Sequence, residues 1–387
     1  MRGVQGKFLI QGRGTPEAYK AFVPRDLPPV PPIALDREAE RIHSRAMLAL
    51  GRLDGLSHVL PDADLLLTFY VRREAVLSSQ IEGTQSSMAD LLRFEADPNA
   101  AHGDDLLEVS NYVTAMRHGL GRLRDGFPLS LRLLREMHGT LLQSGRGSGM
   151  DAGEFRRSQN WIGGSRPGNA QFVPPPVPEM QEALHRLEKF LHGEAADYPP
   201  LVQAAMLHVQ FESIHPFLDG NGRLGRLLIA LLLVEREVLN EPLLFISLYL
   251  KRNREAYYEH LQRVRLQGTW EQWISFFLEG VRTTADSAAL LAHNLMALLA
   301  RDRGRLETMG RKRGTLLQIF HAIQRNPYFT VQAVVKSSGL SKPSVMQGIR
   351  ELMDMGIAKE VTGKLRNQVF VYHQYLDLLD EGTELAP

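Results

Sequence analysis

No cysteine occurs among the 387 residues, which excludes disulfides and thiolate metal sites and leaves the compartment open. A charge of one sign is also lacking. Lys and Arg number 45 against 44 Asp and Glu, so no global field argues for nucleic acid or a membrane surface. The longest apolar run, Leu227 to Val234, is too short to span a bilayer. No signal-peptide core follows Met1-Arg2-Gly3, and no internal repeat stands out beyond a few proline clusters. A soluble, cytoplasmic protein of two or three domains is the expectation.

What is present is helical periodicity. Apolar spacing predicts helices over Leu35–Gly55, Asp62–Gly83, Leu106–Leu123, Pro128–Gln143, Pro178–His192, Pro199–Ser213, Gly222–Arg236, Asn253–Gln267 and Trp270–Ala300. Pro24 to Pro32 reads as an extended entry segment, and 96–104 as an exposed loop. Two short apolar pieces around Asn160–Val173 flank a Gly/Pro/Ser/Asn tip and read as a hairpin.

The densest information lies in His215-Pro216-Phe217-Leu218-Asp219-Gly220-Asn221-Gly222-Arg223-Leu224-Gly225-Arg226. Gly220, Asn221 and Gly222 permit the backbone angles that let successive N–H groups converge on one anion. A helix beginning there adds unpaired N–H groups and a favourable dipole. Arg223 and Arg226, at i and i+3, sit at the end of a helix where cations do not belong, a conflict that a bound anion removes. Asp219 suits magnesium, which takes one or two carboxylates plus phosphate oxygens. His215 can take a proton near neutral pH. A zinc site from His208, Glu212 and His215 is the weaker alternative, because Pro216 breaks the helix and no open-site pattern is present.

This run resembles the signature of the Fic family, HxFx(D/E)GNGRxxR, with every specified position filled. The resemblance implies a mainly α fold, a Fic-type helical bundle with a β-hairpin flap. It also implies transfer of AMP from ATP to a Ser, Thr or Tyr hydroxyl of a target protein or of the chain itself, with ATP as substrate and Mg2+ as cofactor. Carried over, His215 is the catalytic base and Asp219 the metal ligand. The stretch Gly220, Asn221, Gly222, Arg223, Leu224, Gly225 and Arg226 binds the phosphates, and Phe217 is a packing anchor. Tyr257 and Tyr258 would lie near adenine and ribose, with Ile162 and Gly163 on the flap. The target would pair along 160–173 by strand addition.

Upstream, Ser78-Ser79-Gln80-Ile81-Glu82-Gly83 resembles the family's inhibitory pattern, (S/T)xxxE(G/N). The resemblance implies a bidentate ion pair between Glu82 and Arg226 that removes the arginine from the γ-phosphate. A helix end capped by Gly83 fits the same residues, and a bidirectional enzyme that also removes AMP is an alternative.

From Arg311 the pattern changes. Helices are expected over Gly314–Asn326, Thr330–Ser338 and Lys342–Met355, with strands at Ile357–Val361 and Gln368–Tyr372 around a tip at 362–367, which resembles a winged helix. Ten Lys or Arg face three Asp or Glu between Arg311 and His373, a difference of +7. Lys342, Ser344, Gln347, Lys364 and Arg366 are therefore candidates for DNA contact, although such folds also dock proteins or form homodimers. The expected division is 1–105, an N-terminal region with the inhibitory motif; 106–305, the catalytic core; and 306–387, the winged-helix domain. The rival function is a nucleotide-sensing, DNA-binding regulator.

Overall fold

A computed structural model describes residues 2–15, 17–59, 63–96, 103–193, 197–364, 366 and 368–383. In chain order the elements are β1 (Gly6–Gln11), β2 (Tyr19–Pro24), α1 (Arg37–Val59), α2 (Ala63–Ile81), α3 (Met88–Ala96), α4 (Asp104–Arg124), α5 (Leu131–Leu141) and α6 (Val177–His192). They continue as α7 (Pro200–Ile214), α8 (Asn221–Glu235), α9 (Ser247–Arg252), α10 (Arg254–Gln267), α11 (Trp270–Glu307) and α12 (Arg313–Arg325). The C-terminal elements are β3 (Tyr328–Thr330), α13 (Val331–Ser338), α14 (Lys342–Asp354), β4 (Lys359–Glu360), β5 (Val369–Val371) and α15 (His373–Asp380).

α7 forms the centre. Every residue from Leu201 to Ile214 is buried, the condition for a helix that is apolar nearly all round. α8 lies against it, and α2, α4, α5, α6, α10 and α11 pack around the pair. Trp273 of α11 donates its indole N–H to the Ala205 carbonyl at 2.9 Å, fixing the long helix to the central one. α1 runs along the outside of α11.

The β1–β2 hairpin, which periodicity did not reveal, pairs Gly6 with Pro24 through Gln11 with Tyr19. The far edge of β2 meets the segment expected as a flap, where Phe22 N–H donates to Val173 O at 2.8 Å. That segment is not the hairpin expected. It is a loop closed by a single antiparallel bridge, Ile162 to Phe172, with a 3-10 turn at Pro167–Asn169. Its apolar pieces are too short for a ladder, and its turn residues dominate.

In the C-terminal region the antiparallel sheet has order β3-β5-β4. The Thr330 and Ser341 hydroxyls accept from Ala333 and Ser344 N–H groups to cap α13 and α14, and Gly339 ends α13 in the left-handed region. The boundaries expected at 105/106 and 305/306 fall inside α4 and α11, so the ranges read as domains share continuous helices. The loop expected over 96–104 falls largely outside the described residues, as do Leu365 and Asn367 at the expected wing tip.

Candidate active site

The site is built on the six residues between α7 and α8. Pro216 forbids α7 to continue, and His215 closes it in the left-handed region, at φ 50° and ψ 62°, with its N–H on Phe211 O at 2.9 Å. A non-glycine residue held there implies an over-determined loop, and several side chains supply the determination. Asn221 binds both backbone groups of Phe217, accepting from its N–H at 2.9 Å and donating to its carbonyl at 2.8 Å. Asn160 donates to the same carbonyl at 2.7 Å. Buried Arg156 donates from Nε to His215 O at 3.0 Å, and its N–H reaches Pro216 O at 2.9 Å. Phe217 is fully buried under the ring of His138, with centroids 3.7 Å apart.

His138 has a second task. Its Nδ1 accepts from Gly153 N–H at 2.9 Å, so Nε2 carries the proton shared with Asp219 O at 3.0 Å. The neutral ring this requires agrees with burial pushing its pKa down to about 4. His138, Arg156, Asn160 and Arg265 were not legible as site residues. Asn160 falls within the segment expected as a flap, 160–173, and nothing in the sequence marks His138, Arg156 or Arg265.

Gly220 starts α8 at φ 76°, a conformation natural only to glycine. Arg223 and Arg226 follow, and both are buried. Each already holds a carboxylate. Arg223 donates to Glu108 of α4 at 2.9 Å and lies 3.5 Å from Asp219, while Arg146 bridges the other Glu108 oxygen at 3.0 Å. Arg226 donates from Nη2 to Glu82 Oε1 at 2.7 Å. The bidentate geometry expected for this pair is not formed. Arg226 gives Nε to Ser78 Oγ at 2.8 Å and also reaches Ser78 O at 2.9 Å, so its fork turns toward α2 and meets Glu82 through one nitrogen.

Glu82 sits over the first turn of α8, where a Cβ on Gly222 would overlap its carboxylate. Burial alone would raise the Glu82 carboxyl, but Arg226 and Arg223 together hold it below its usual value. Gly83, at φ 100°, turns the chain just after α2. His215 is pushed down to about 3 by burial and by Arg265 and Arg156, so its imidazole is neutral and able to accept a proton.

Three residues read as nucleotide contacts serve other ends. Leu224 is fully buried in the core. Gly225 faces α7, where an added Cβ would come within 2.5 Å of Glu212 Oε1. The Asn221 side chain is committed to Phe217, so what it can offer a ligand is its backbone N–H. Tyr257 is buried, its hydroxyl on His208 Nε2 at 2.8 Å. Tyr258 is 42% exposed, its ring 4.9 Å from that of Tyr257, and both tyrosines lie within electrostatic reach of Arg226. Ile162 and Gly163 lie on the single-bridge loop.

Two family models match this chain: Fic/DOC family N-terminal over residues 41–121, and Fic/DOC family over 128–233. These two stretches of the chain are Fic/DOC family domains. Both motifs read from the sequence fall within these ranges. Among relatives, the Protein adenylyltransferase Fic of Aedes aegypti is 31% identical over 212 residues, 53% of this chain and 39% of that protein. The protein of the same name from Drosophila ananassae is 28% identical over 210 residues, with the same shares. The chain thus spans about two-fifths of the length of these relatives. A Fic family protein from Desulfovibrio desulfuricans G20 shares the fold, with a TM-score of 0.55 and 18% identity over 88% of this chain and 98% of that one. Fic-1 from C. elegans matches with a TM-score of 0.50 and 19% identity over 67% and 73%.

Proposed function

We propose that this chain is a protein adenylyltransferase held in check by Glu82. The observation that carries the proposal is the start of α8. There a neutral imidazole, two buried guanidiniums and a helix N-terminus converge, and the anion they attract is a side-chain carboxylate. ATP would replace that carboxylate. The target hydroxyl oxygen attacks the α-phosphorus, the bond from that phosphorus to the bridging oxygen breaks, and pyrophosphate leaves with both electrons of the bond. The hydroxyl proton passes to His215, a contribution of roughly 10²–10⁴-fold. The backbone N–H groups of the first turn of α8 cradle the α- and β-phosphates. Arg223 then neutralises the β-phosphate and Arg226 the γ-phosphate.

The Asp219 side chain is 40% exposed, with one oxygen accepting from Gly220 N–H at 2.7 Å and the other 3.5 Å from Arg223. A single reachable carboxylate beside phosphate-binding groups fits magnesium. Such an ion supplies charge neutralisation for the leaving pyrophosphate when bound. The support from relatives is their printed name, protein adenylyltransferase.

Incubation with labelled ATP and magnesium tests the reading. Label should appear on this chain or on a lysate protein, rise in E82G, and vanish in E82G/H215A while nucleotide binding persists. Turnover retained without His215 defeats it. The C-terminal region, 306–387, is proposed as a winged helix that contacts DNA, because Lys342, Gln347, Lys364 and Arg366 are all exposed. DNA retention that weakens with salt and with K342A/R366A supports that addition, and salt-insensitive or absent retention removes it.

A further inference from the structure

The carboxyl group of Glu212 has no assigned task and is poorly placed as a structural residue. It is buried one turn before His215, and its Oε1 has no hydrogen-bond partner. The His215 Nδ1 is also buried without a partner, and it lies 3.9 Å from Glu212 Oε2. Two orphaned polar groups side by side in a protein interior are costly unless some state of the molecule joins them. Room for the carboxyl group is made by Gly225, whose missing Cβ would otherwise press on it.

We propose, building on the adenylyltransferase reading, that Glu212 is a positioning residue. It accepts the Nδ1 proton of His215, fixes the ring's tautomer and orientation, and leaves the Nε2 lone pair to take the hydroxyl proton. The contact is too long for a hydrogen bond while Glu82 occupies the site. It closes when Glu82 leaves and the ring is free to swing.

The surrounding charges support the coupling. Burial and Glu82 push the Glu212 carboxyl up, to about 7, against the opposing pull of Arg226 and Arg265. Tyr257 of α10 also faces it. Departure of Glu82 removes a like charge and favours the ionised form, which is the better acceptor. The competing acceptor for Nδ1 is the Glu212 backbone carbonyl, which also favours the protonated ring. That oxygen is already engaged by Arg265 Nη2 at 3.1 Å.

The test compares full-length E82G with E82G/E212Q and E82G/E212A. The first readout needs no activity: the imidazole ¹⁵N shifts of His215, assigned by loss in H215A, report which nitrogen bears the proton. E82G should show an Nδ1-protonated ring, and E212A should shift toward the other tautomer. E212Q, whose amide oxygen still accepts, should keep the tautomer. In the second readout, kcat should fall by roughly 10²-fold in E212A and less in E212Q, with KM for ATP unchanged. The acid limb of the kcat profile should move to lower pH in both. An unaltered tautomer in E212A together with an unmoved acid limb in E212Q would assign the role to the backbone carbonyl and overturn the proposal. If E82G transfers no AMP at all, the transfer reading fails by itself, and the ¹⁵N shifts still decide the part played by Glu212.

Discussion

Replacing Glu82 by Gly probes the clearest balance in this structure. The Arg226 side chain is 1% exposed and that of Glu82 34% exposed. A hydrogen bond to a charged group contributes about 1.5–3 kcal/mol, and partial exposure of the acceptor places this one toward the lower end. On the proposed adenylyltransferase reading, ATP must displace that contact before Arg226 can reach the γ-phosphate. Since about 1.4 kcal/mol is a factor of ten, E82G should gain roughly 10- to 100-fold in AMP incorporation at subsaturating ATP. Arg226 keeps both bonds to Ser78, so the guanidinium stays in position after the substitution. The gain should appear chiefly in KM for ATP, with any rise in kcat reporting release of His215. Initial rates by intact-mass spectrometry over a range of ATP concentrations give both. Equal rates in E82G and wild type, in a preparation whose labelling requires His215, would refute the competition argument.

Three further outcomes follow from the same geometry. The Glu82 carboxyl is held below its ordinary value of 4.5, so its contribution is complete above that value and is lost only as pH falls through the lower, folded one. Lowering pH from 7.5 to 5.5 should therefore leave the E82G-to-wild-type rate ratio unchanged, and a ratio collapsing toward one would contradict the assignment. Burial pushes Glu74 up to about 7, against hydrogen bonds from Ser247 and Tyr112. A raised carboxyl stabilises the fold when protonated, and that stability is lost as pH rises through about 7. Wild type should then unfold at lower denaturant at pH 8 than at pH 5, with the difference reduced in E74Q; an identical pH slope in both proteins would exclude Glu74 as its source. H138F keeps the stack on Phe217 but strands Asp219 O and Gly153 N–H, at about 1–3 kcal/mol each. It should lower the urea midpoint and weaken nucleotide binding, and an unchanged midpoint would argue against the positioning role.

The run from His215 to Arg226 was legible because its information is local: a helix-breaking proline, flexible residues and two arginines within one turn. The central helices were legible for a related reason, since long apolar periodicity survives without tertiary knowledge. Other parts depend on distant partners. Glu108 meets Arg223 across 115 residues of sequence, and His138 meets Asp219 across 81. Nothing in local pattern singles out either residue. The bidentate pairing anticipated for Arg226 failed because Ser78, at the start of the same motif, takes Nε with its hydroxyl and shares Nη2 through its carbonyl. α3, α9 and β3 are too short to show a period, whereas β4 and β5 fall within the strands expected at Ile357–Val361 and Gln368–Tyr372. The β1–β2 hairpin escaped because neither strand alternates cleanly between a buried and an exposed face.

The location of control follows from the cost of burying charge. A guanidinium with no partner in a protein interior is strongly unfavourable, so a site with two buried arginines must carry its own anions when nucleotide is absent. Glu108 serves Arg223, and Glu82 serves Arg226. The two carboxylates are not equally removable. Glu108 is fully buried on α4 and also bridged to Arg146, so its departure would require opening the bundle. Glu82 lies on the turn after α2, partly in solvent, one residue before a glycine with φ 100°. On the proposed adenylyltransferase reading, ATP therefore competes at Arg226 and not at Arg223. The last turn of α2 is in turn tied to the C-terminal region, because Gln80 donates to the Thr383 carbonyl at 2.9 Å, and to α9, because Gln80 accepts from Lys251 at 2.7 Å. Any signal that frees Glu82 by moving this helix end must break those contacts. Deletion of residues 381–387 should accordingly raise the wild-type rate toward that of E82G while leaving E82G itself unaffected. A truncated chain as inactive as the intact one would mean that Glu82 swings out on its own turn, with α2 standing still.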